Sequence, residues 1–140
     1  MSNAIVRISE DNPVYTSMSL ATATREEQAM FYNAVENPTE KLSKYINKRI
    51  KFVNVHMEQI IMCDRDDEGH PIPNTEKPTV KTILITPEGN GIISTSMGIA
   101  RALYSMFQIF GTPDQWDAPL ECIVQQVEIG KNRTFKLKVV

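Results

Sequence analysis

The stretch TVKTILITPEGNGIISTSMGIARALYSMFQIFG, residues 79–111, decides the fold. Thr79 to Thr86 is dense in β-branched and aliphatic side chains and predicts a strand. Pro87-Glu88-Gly89-Asn90-Gly91 is turn chemistry, because glycine and asparagine tolerate the positive φ of a tight reversal, and Ile92 to Thr95 follows as a short partner. The two predict a hairpin. Ser96 then stands where a helix N-cap is wanted. Ile99, Leu103, Met106 and Phe110 recur at helical spacing, and Gly111 closes the run where a left-handed residue suits a helix end.

Upstream, Arg49 to Met62 mixes Ile, Phe, Val and Met with single polar interruptions, which suits a long strand. Its alternation is not continuous. Arg49 and Lys51 share one parity as an outward pair, yet Val53 and Val55 carry the same parity, so a twist or bulge must intervene. Asp64 to Pro78 is rich in Asp, Gly, Pro and Asn and predicts a long connection. Downstream, Leu120 to Ile129 and Thr134 to Val140 predict two closing strands around the turn Gly130-Lys131-Asn132-Arg133.

Nearer the N-terminus, Thr24-Arg25-Glu26-Glu27 has the form of a capping box and predicts a helix to about Glu36. Asn37-Pro38-Thr39-Glu40 repeats that logic and predicts a second, short helix with Leu42, Tyr45 and Ile46 on one face. The partial alternation of Val14, Thr16, Met18 and Leu20 reads as an arm or short strand. Strand, strand, strand, helix, strand, strand is the connectivity of a five-stranded OB-fold barrel, mainly β, with a helix between strands 3 and 4 and short N-terminal helices. An open α+β sheet fits the same periodicity. The expected organisation is an arm over residues 1–23 and a single OB-fold domain over 24–140.

With 140 residues, 41% of them hydrophobic, the chain has the material for one core. No stretch approaches the ~20 apolar residues of a membrane helix, and Met1-Ser2-Asn3-Ala4-Ile5 lacks a basic start and a hydrophobic signal core. The expectation is a protein that stays in the cytoplasm, away from membranes. Cys63 and Cys122 have no paired spacing and are expected as reduced thiols. A net charge of -2 exerts no global pull on a polyanion, so the placement of charge matters more than its sum. Lys44, Lys48, Arg49 and Lys51 form one basic cluster, Lys131, Arg133, Lys136 and Lys138 another, and Asp64, Asp66, Asp67 and Glu68 an acidic knot between them. Each cluster taken alone reads equally well as a solvated face.

No phosphate loop, nucleophile elbow or paired-histidine helix is present, so neither enzymatic activity nor a cofactor is expected. Asp64, Asp66, Glu68 and Gly69 have the opening spacing of a calcium loop, but the closing position is Thr75 where a bidentate Glu is needed. Cys63 and His70 make too few ligands for zinc. The strand-borne cations carry more information. A strand that holds Phe135, Leu137 and Val139 inward turns Thr134, Lys136 and Lys138 outward together. Arg49 and Lys51 form a similar pair, and Lys77 and Lys81 flank the start of the second strand, where an OB barrel receives its ligand. His56, beside Asn54 and Glu58, reads as a surface hydrogen-bonder or a base contact, while Phe52 and Trp116 read as core or cap packing. Arg49, Lys51, His56, Lys77, Lys81, Lys136 and Lys138 are therefore the candidate contacts to a single polynucleotide strand.

Three stretches carry a resemblance: the helix from Thr24 to Asn33-Ala34; the run Thr79 to Ile85 with its Glu88-Gly89 turn and Ser96; and Phe110-Gly111-Thr112-Pro113 with Trp116 and Pro119. In them, and in its order of elements, the chain resembles the small OB-fold single-stranded DNA-binding proteins of tailed bacteriophages. The resemblance covers most of the chain. It implies a non-catalytic protein that coats single strands exposed during phage DNA replication in the bacterial host, with replication proteins as further partners. Where such proteins often carry an aromatic on the strand after the turn, this chain has Ile92, which shifts the weight of binding toward charge. The terminal Leu137-Lys138-Val139-Val140 is a strand end and not an acidic tail, so recruitment through a tail is not expected. The alternative is a protein-interaction or structural module on the same barrel, which an exposed apolar patch around Ile83 and Ile92 would mark. RNA in place of DNA stays open, because nothing identifies a group that senses the 2′-hydroxyl.

Overall fold

The computed structural model describes residues 5–9, 12–18, 21–130 and 132–140. Its elements are β1 (Ile5–Ser9), β2 (Asn12–Thr16), α1 (Arg25–Glu36), β3 (Glu40–Lys41), a 3-10 turn (Leu42–Tyr45), β4 (Arg49–Phe52), β5 (Asn54–Met62), β6 (Lys77–Ile85), β7 (Gly91–Ser94), α2 (Met97–Phe110), a second 3-10 turn (Pro113–Gln115), β8 (Leu120–Ile129) and β9 (Asn132–Val139). Mostly β with two helices, they form a six-stranded sheet in the order β1-β2-β5-β6-β7-β3 and a three-stranded sheet in the order β4-β8-β9.

Val53 joins the two sheets. Before it, Ile50 and Phe52 are buried while Arg49 and Lys51 are exposed; after it, Val55 and Met57 face the core. The inward parity switches from even to odd at one residue, which is the irregularity that the sequence demanded. The Val53 amide still donates to the Ile85 carbonyl at 2.8 Å, so the chain crosses between sheets without leaving that donor unpaired. Ile50, Phe52, Val55, Met57, Leu84, Ile92, Cys122 and Val124 from both sheets then meet Ile99, Leu103 and Met106 of α2 in one core. The Cys122 thiol lies within it, and burial pushes its pKa up to about 12.

β6 is buried on both faces at its C-terminal end, which explains the unbroken run Ile83-Leu84-Ile85. Leu84 looks into the main core. Ile83 and Ile85 look out, where α1 covers them with Phe31, Ala34 and Val35. Gly91 permits that docking: a Cβ there would strike the carbonyl oxygen of Ala34 and lie 2.9 Å from its carbon. The predicted capping box begins α1, with the Thr24 hydroxyl accepting from the Glu27 amide at 3.1 Å and the Glu27 carboxylate accepting from the Thr24 amide at 3.0 Å. Thr24→Ala is expected to cost about 1 kcal/mol, read as a lower urea midpoint at unchanged slope.

One expectation for the N-terminal third needs correction. The second short helix is not formed from Pro38: Glu40 and Lys41 pair in parallel with Ile92 and Ile93, and only Leu42–Tyr45 turns helically, with Leu42 buried. Sheet pairing, begun where the Thr39 amide donates to the Gly91 carbonyl at 3.0 Å, overrides the local signal of Asn37-Pro38. The alternation around Val14 and Thr16 belongs to β2, which pairs with β1 and lays Tyr15 opposite Met57 of β5. Leu20 lies outside the described residues, as does Lys131.

A closed five-stranded barrel is not formed. Among the described residues β9 pairs only with β8, while β3 occupies the edge of β7. α2 spans the gap. Gly98 in its first turn lies so close to β9 that a Cβ would strike the Thr134 hydroxyl and come within 2.5 Å of the Phe135 carbonyl oxygen.

Candidate nucleic-acid interface

Four of the seven candidate cations and bases meet on one surface. In the three-stranded sheet, β8 runs between β4 and β9, and directly opposed residues carry their side chains on the same face. Arg49 opposes Ile123, which opposes Lys138; Lys51 opposes Glu121; Gln125 opposes Lys136. Arg49, Lys51, Lys136 and Lys138 are all exposed and therefore share the outer face, with Arg49 and Lys138 in one row about 10 Å apart at the backbone.

One acid interrupts this face. Arg49 Nη1 lies 3.6 Å from Glu121 Oε1, a half-solvated pair whose net contribution is about 0 to 1 kcal/mol. Lys51, Lys136 and Lys138 make no ion pair among the described residues. Three cations that make no ion pair among the described residues, plus a weakly held guanidinium, make this strip attractive to an anion despite the acidic balance of the chain.

The other three candidates are on the six-stranded sheet, with the main core between the two groups. Lys77 is exposed at the start of β6, opposite Met62. Lys81 faces Glu58 across the β5–β6 pair, with Nζ 3.4 Å from Oε1, and is only 23% exposed. His56 is buried at 8% exposure, and its ring meets Phe31 of α1 edge-on at 5.8 Å between centroids. The single track through all seven residues is thus divided. Val53 sends Arg49 and Lys51 into one sheet and His56 into the other, and α1 covers the face on which a base contact by His56 was expected.

His56 is held neutral. Burial lowers its pKa from the ordinary 6.5, with Lys81 adding to the effect and Glu58, 3.7 Å away, opposing it. Among the described residues its Nδ1 has no hydrogen-bond partner. Because the unfolded chain then binds the proton more readily than the native one, His56 leaves stability intact above pH 6.5 and erodes it as pH falls below that value. Urea melts at decreasing pH should show this acid limb in the wild type, and His56→Leu should flatten it.

Among the described residues no exposed ring lies on the cationic face, and the half-buried Tyr45 lines a hollow beside Arg49 and Lys51. Phe52 is fully buried against Trp116, 5.7 Å away in an edge-on pair, and Trp116 also meets Phe107, which in turn meets Tyr15. Both rings are core and cap, as their size suggested. The exposed aromatics Tyr32, Tyr104 and Phe110 are on the helices.

Sequence reading missed a second cationic surface. Lys41 and Arg101, neither of them a candidate, line a cleft of about 620 Å3 between α2 and β9 together with Arg133. A signal was present, since Arg101 is the one charged residue in Met97–Phe110. What it faces depends on the gap between β7 and β9, which no local pattern encodes.

Compared with known protein families, curated proteins and solved structures, the chain shows no significant match.

Proposed function

We propose that this protein is an open OB barrel that binds single-stranded DNA without catalysis, in phage DNA replication within the bacterial host. The observation that carries the reading is the gathering of Arg49, Lys51, Lys136 and Lys138 on one outer sheet face, where Glu121 opposes Lys51 and Glu88 lines a hollow beside Arg49 and Lys51. The strand pairings support the fold. β7-β6-β5 continues through Val53 into β4-β8-β9, and α2 comes between the third and fourth of the five strands so joined, lacking only the pairing that closes the barrel. A row of cations whose neighbouring ring, Tyr45, is half-buried favours phosphates over bases, so the binding is sequence-tolerant and driven by counterion release.

Protein docking at Ile83 and Ile92 has no surface to use, since Ile83 is 0% and Ile92 3% exposed. The test is fluorescence anisotropy of a labelled oligothymidine at several salt concentrations. The four sheet-face cations should contribute about -2.8 to the slope of log affinity against log salt, at about -0.7 per phosphate. A salt-independent titration, or equal affinity for duplex, would overturn the reading.

A further inference from the structure

The open seam of the barrel is itself a cationic cleft. The space of about 620 Å3 between α2 and β9 continues into a second hollow of about 290 Å3, the two sharing Gly98, Arg101, Thr134 and Phe135. Lys41, Arg101, Arg133 and Lys136 line them, and among the described residues no acidic one does. In a chain with 17 acids against 15 Lys and Arg, walls with four cations and no carboxylate are a concentrated departure from the average surface. The geometry follows from the fold. β3 takes the edge of β7 that would otherwise pair with β9, so the two sheet edges stand apart, and Gly98 brings the first turn of α2 onto β9 as the floor of the gap.

Among the described residues Arg133 is the one lining cation with an ion pair, its Nε 3.6 Å from Glu128 Oε1, both side chains being about 70% exposed (69% and 71%). Such a solvated pair yields readily to a stronger anion. Lys136 belongs to both surfaces: it is exposed beside Lys138 on the outer sheet face, and it lines the second hollow beside Arg101.

We infer that the cleft is the second segment of the single-strand path: the polynucleotide leaves the outer sheet face, crosses β9 at Lys136, and lays further phosphates against Arg101, Lys41 and Arg133. This rests on the reading that the sheet face binds single-stranded DNA. Charge complementarity selects the occupant, because a strand whose repeating unit is an anion matches walls that present cations alone, whereas an uncharged or basic segment does not. The path wraps one strand around β9 from both sides. A duplex is too wide and stiff to follow it, which gives the protein a physical basis for preferring single strands.

The test uses the full chain, a fluorescein-labelled oligothymidine and two double variants with all substitutions at exposed sites, Arg101→Gln/Lys41→Gln in the cleft and Lys51→Gln/Lys138→Gln on the sheet face. The cleft variant should keep the wild-type thermal midpoint. It should lose about 25-fold in affinity at about 0.1 M salt and about 1.4 from the magnitude of the salt slope, as two phosphate contacts require. If the wild type binds, the sheet-face variant weakens and the cleft variant binds like wild type with an unchanged slope, the cleft inference fails while the sheet-face reading stands. If the wild type itself shows no affinity for the oligonucleotide at low salt, the reading fails and takes the inference with it. If only the cleft variant weakens, the strand lies in the cleft, and the sheet face alone loses its assignment.

Discussion

Phe52→Ala is expected to destabilise the fold by about 3 to 5 kcal/mol, the range for removing a fully buried aromatic. Phe52 is 0% exposed and is the last residue of β4, immediately before the step at Val53 where the chain passes from one sheet to the other. Its ring packs on Trp116, whose indole nitrogen donates to the Gly111 carbonyl at 3.0 Å and so fixes the end of α2. Truncation leaves a void between two sheets and a helix terminus, and none of the three is free to close it without moving the others. Trp116 is the single tryptophan, so its fluorescence follows the transition directly. Urea melts should show a much lower midpoint for Phe52→Ala and a smaller loss, about 1 to 2 kcal/mol, for Phe52→Leu. A loss below 1 kcal/mol for the alanine variant would mean that the junction is not packed as described.

Replacing Lys51, Lys136 and Lys138 together by glutamine should weaken binding of single-stranded DNA about 100-fold at about 0.1 M salt, from about fivefold for each phosphate contact. The salt slope should shrink in magnitude by about 2.1, because three fewer counterions are displaced per complex. All three side chains are exposed and make no ion pair among the described residues, so the folded state should hold its thermal midpoint. A combined variant with an unchanged slope would remove the sheet face from the interface. Glu121→Gln acts in the opposite direction. It removes the one acid on the strip and frees Arg49, and the affinity should rise modestly at low salt.

Much of the architecture is legible residue by residue. The hairpin at Pro87 to Gly91, the cap at Ser96, the helix ending at Gly111 and the capping box of Thr24 and Glu27 follow from side chains that satisfy or release nearby backbone groups. The clash of parity between Lys51 and Val53 also announced an irregularity within one long strand, because a strand with one buried face cannot carry its apolar residues on both parities without a defect; that the irregularity divides the segment between two sheets was not legible. Residues 37–46 misled, since Asn37-Pro38 is a good helix start in isolation and the edge of β7 competes for Glu40 and Lys41. His56 misled for a similar reason. Polar neighbours mark it as a surface residue, yet Phe31, 25 positions earlier, arrives with α1 and buries it.

Taken alone, then, the sequence determined both α-helices and the strand-forming segments within 49–62, 79–95 and 120–140, though not β1 or β3, and that Arg49 with Lys51 and Lys136 with Lys138 each point out of a sheet. Those properties depend on periods of 2 and 3.6 and on local capping, which act over a few residues. Tertiary structure alone decided that these two pairs share one face, that His56 and Lys81 do not join them, and that β3 takes the edge of β7 while β9, among the described residues, keeps one edge without a partner strand beside a cationic cleft. Period and cap specify how a segment is built and which way its side chains point. The choice of its neighbour is made by the whole core at once, through the apolar surface that each arrangement removes from water.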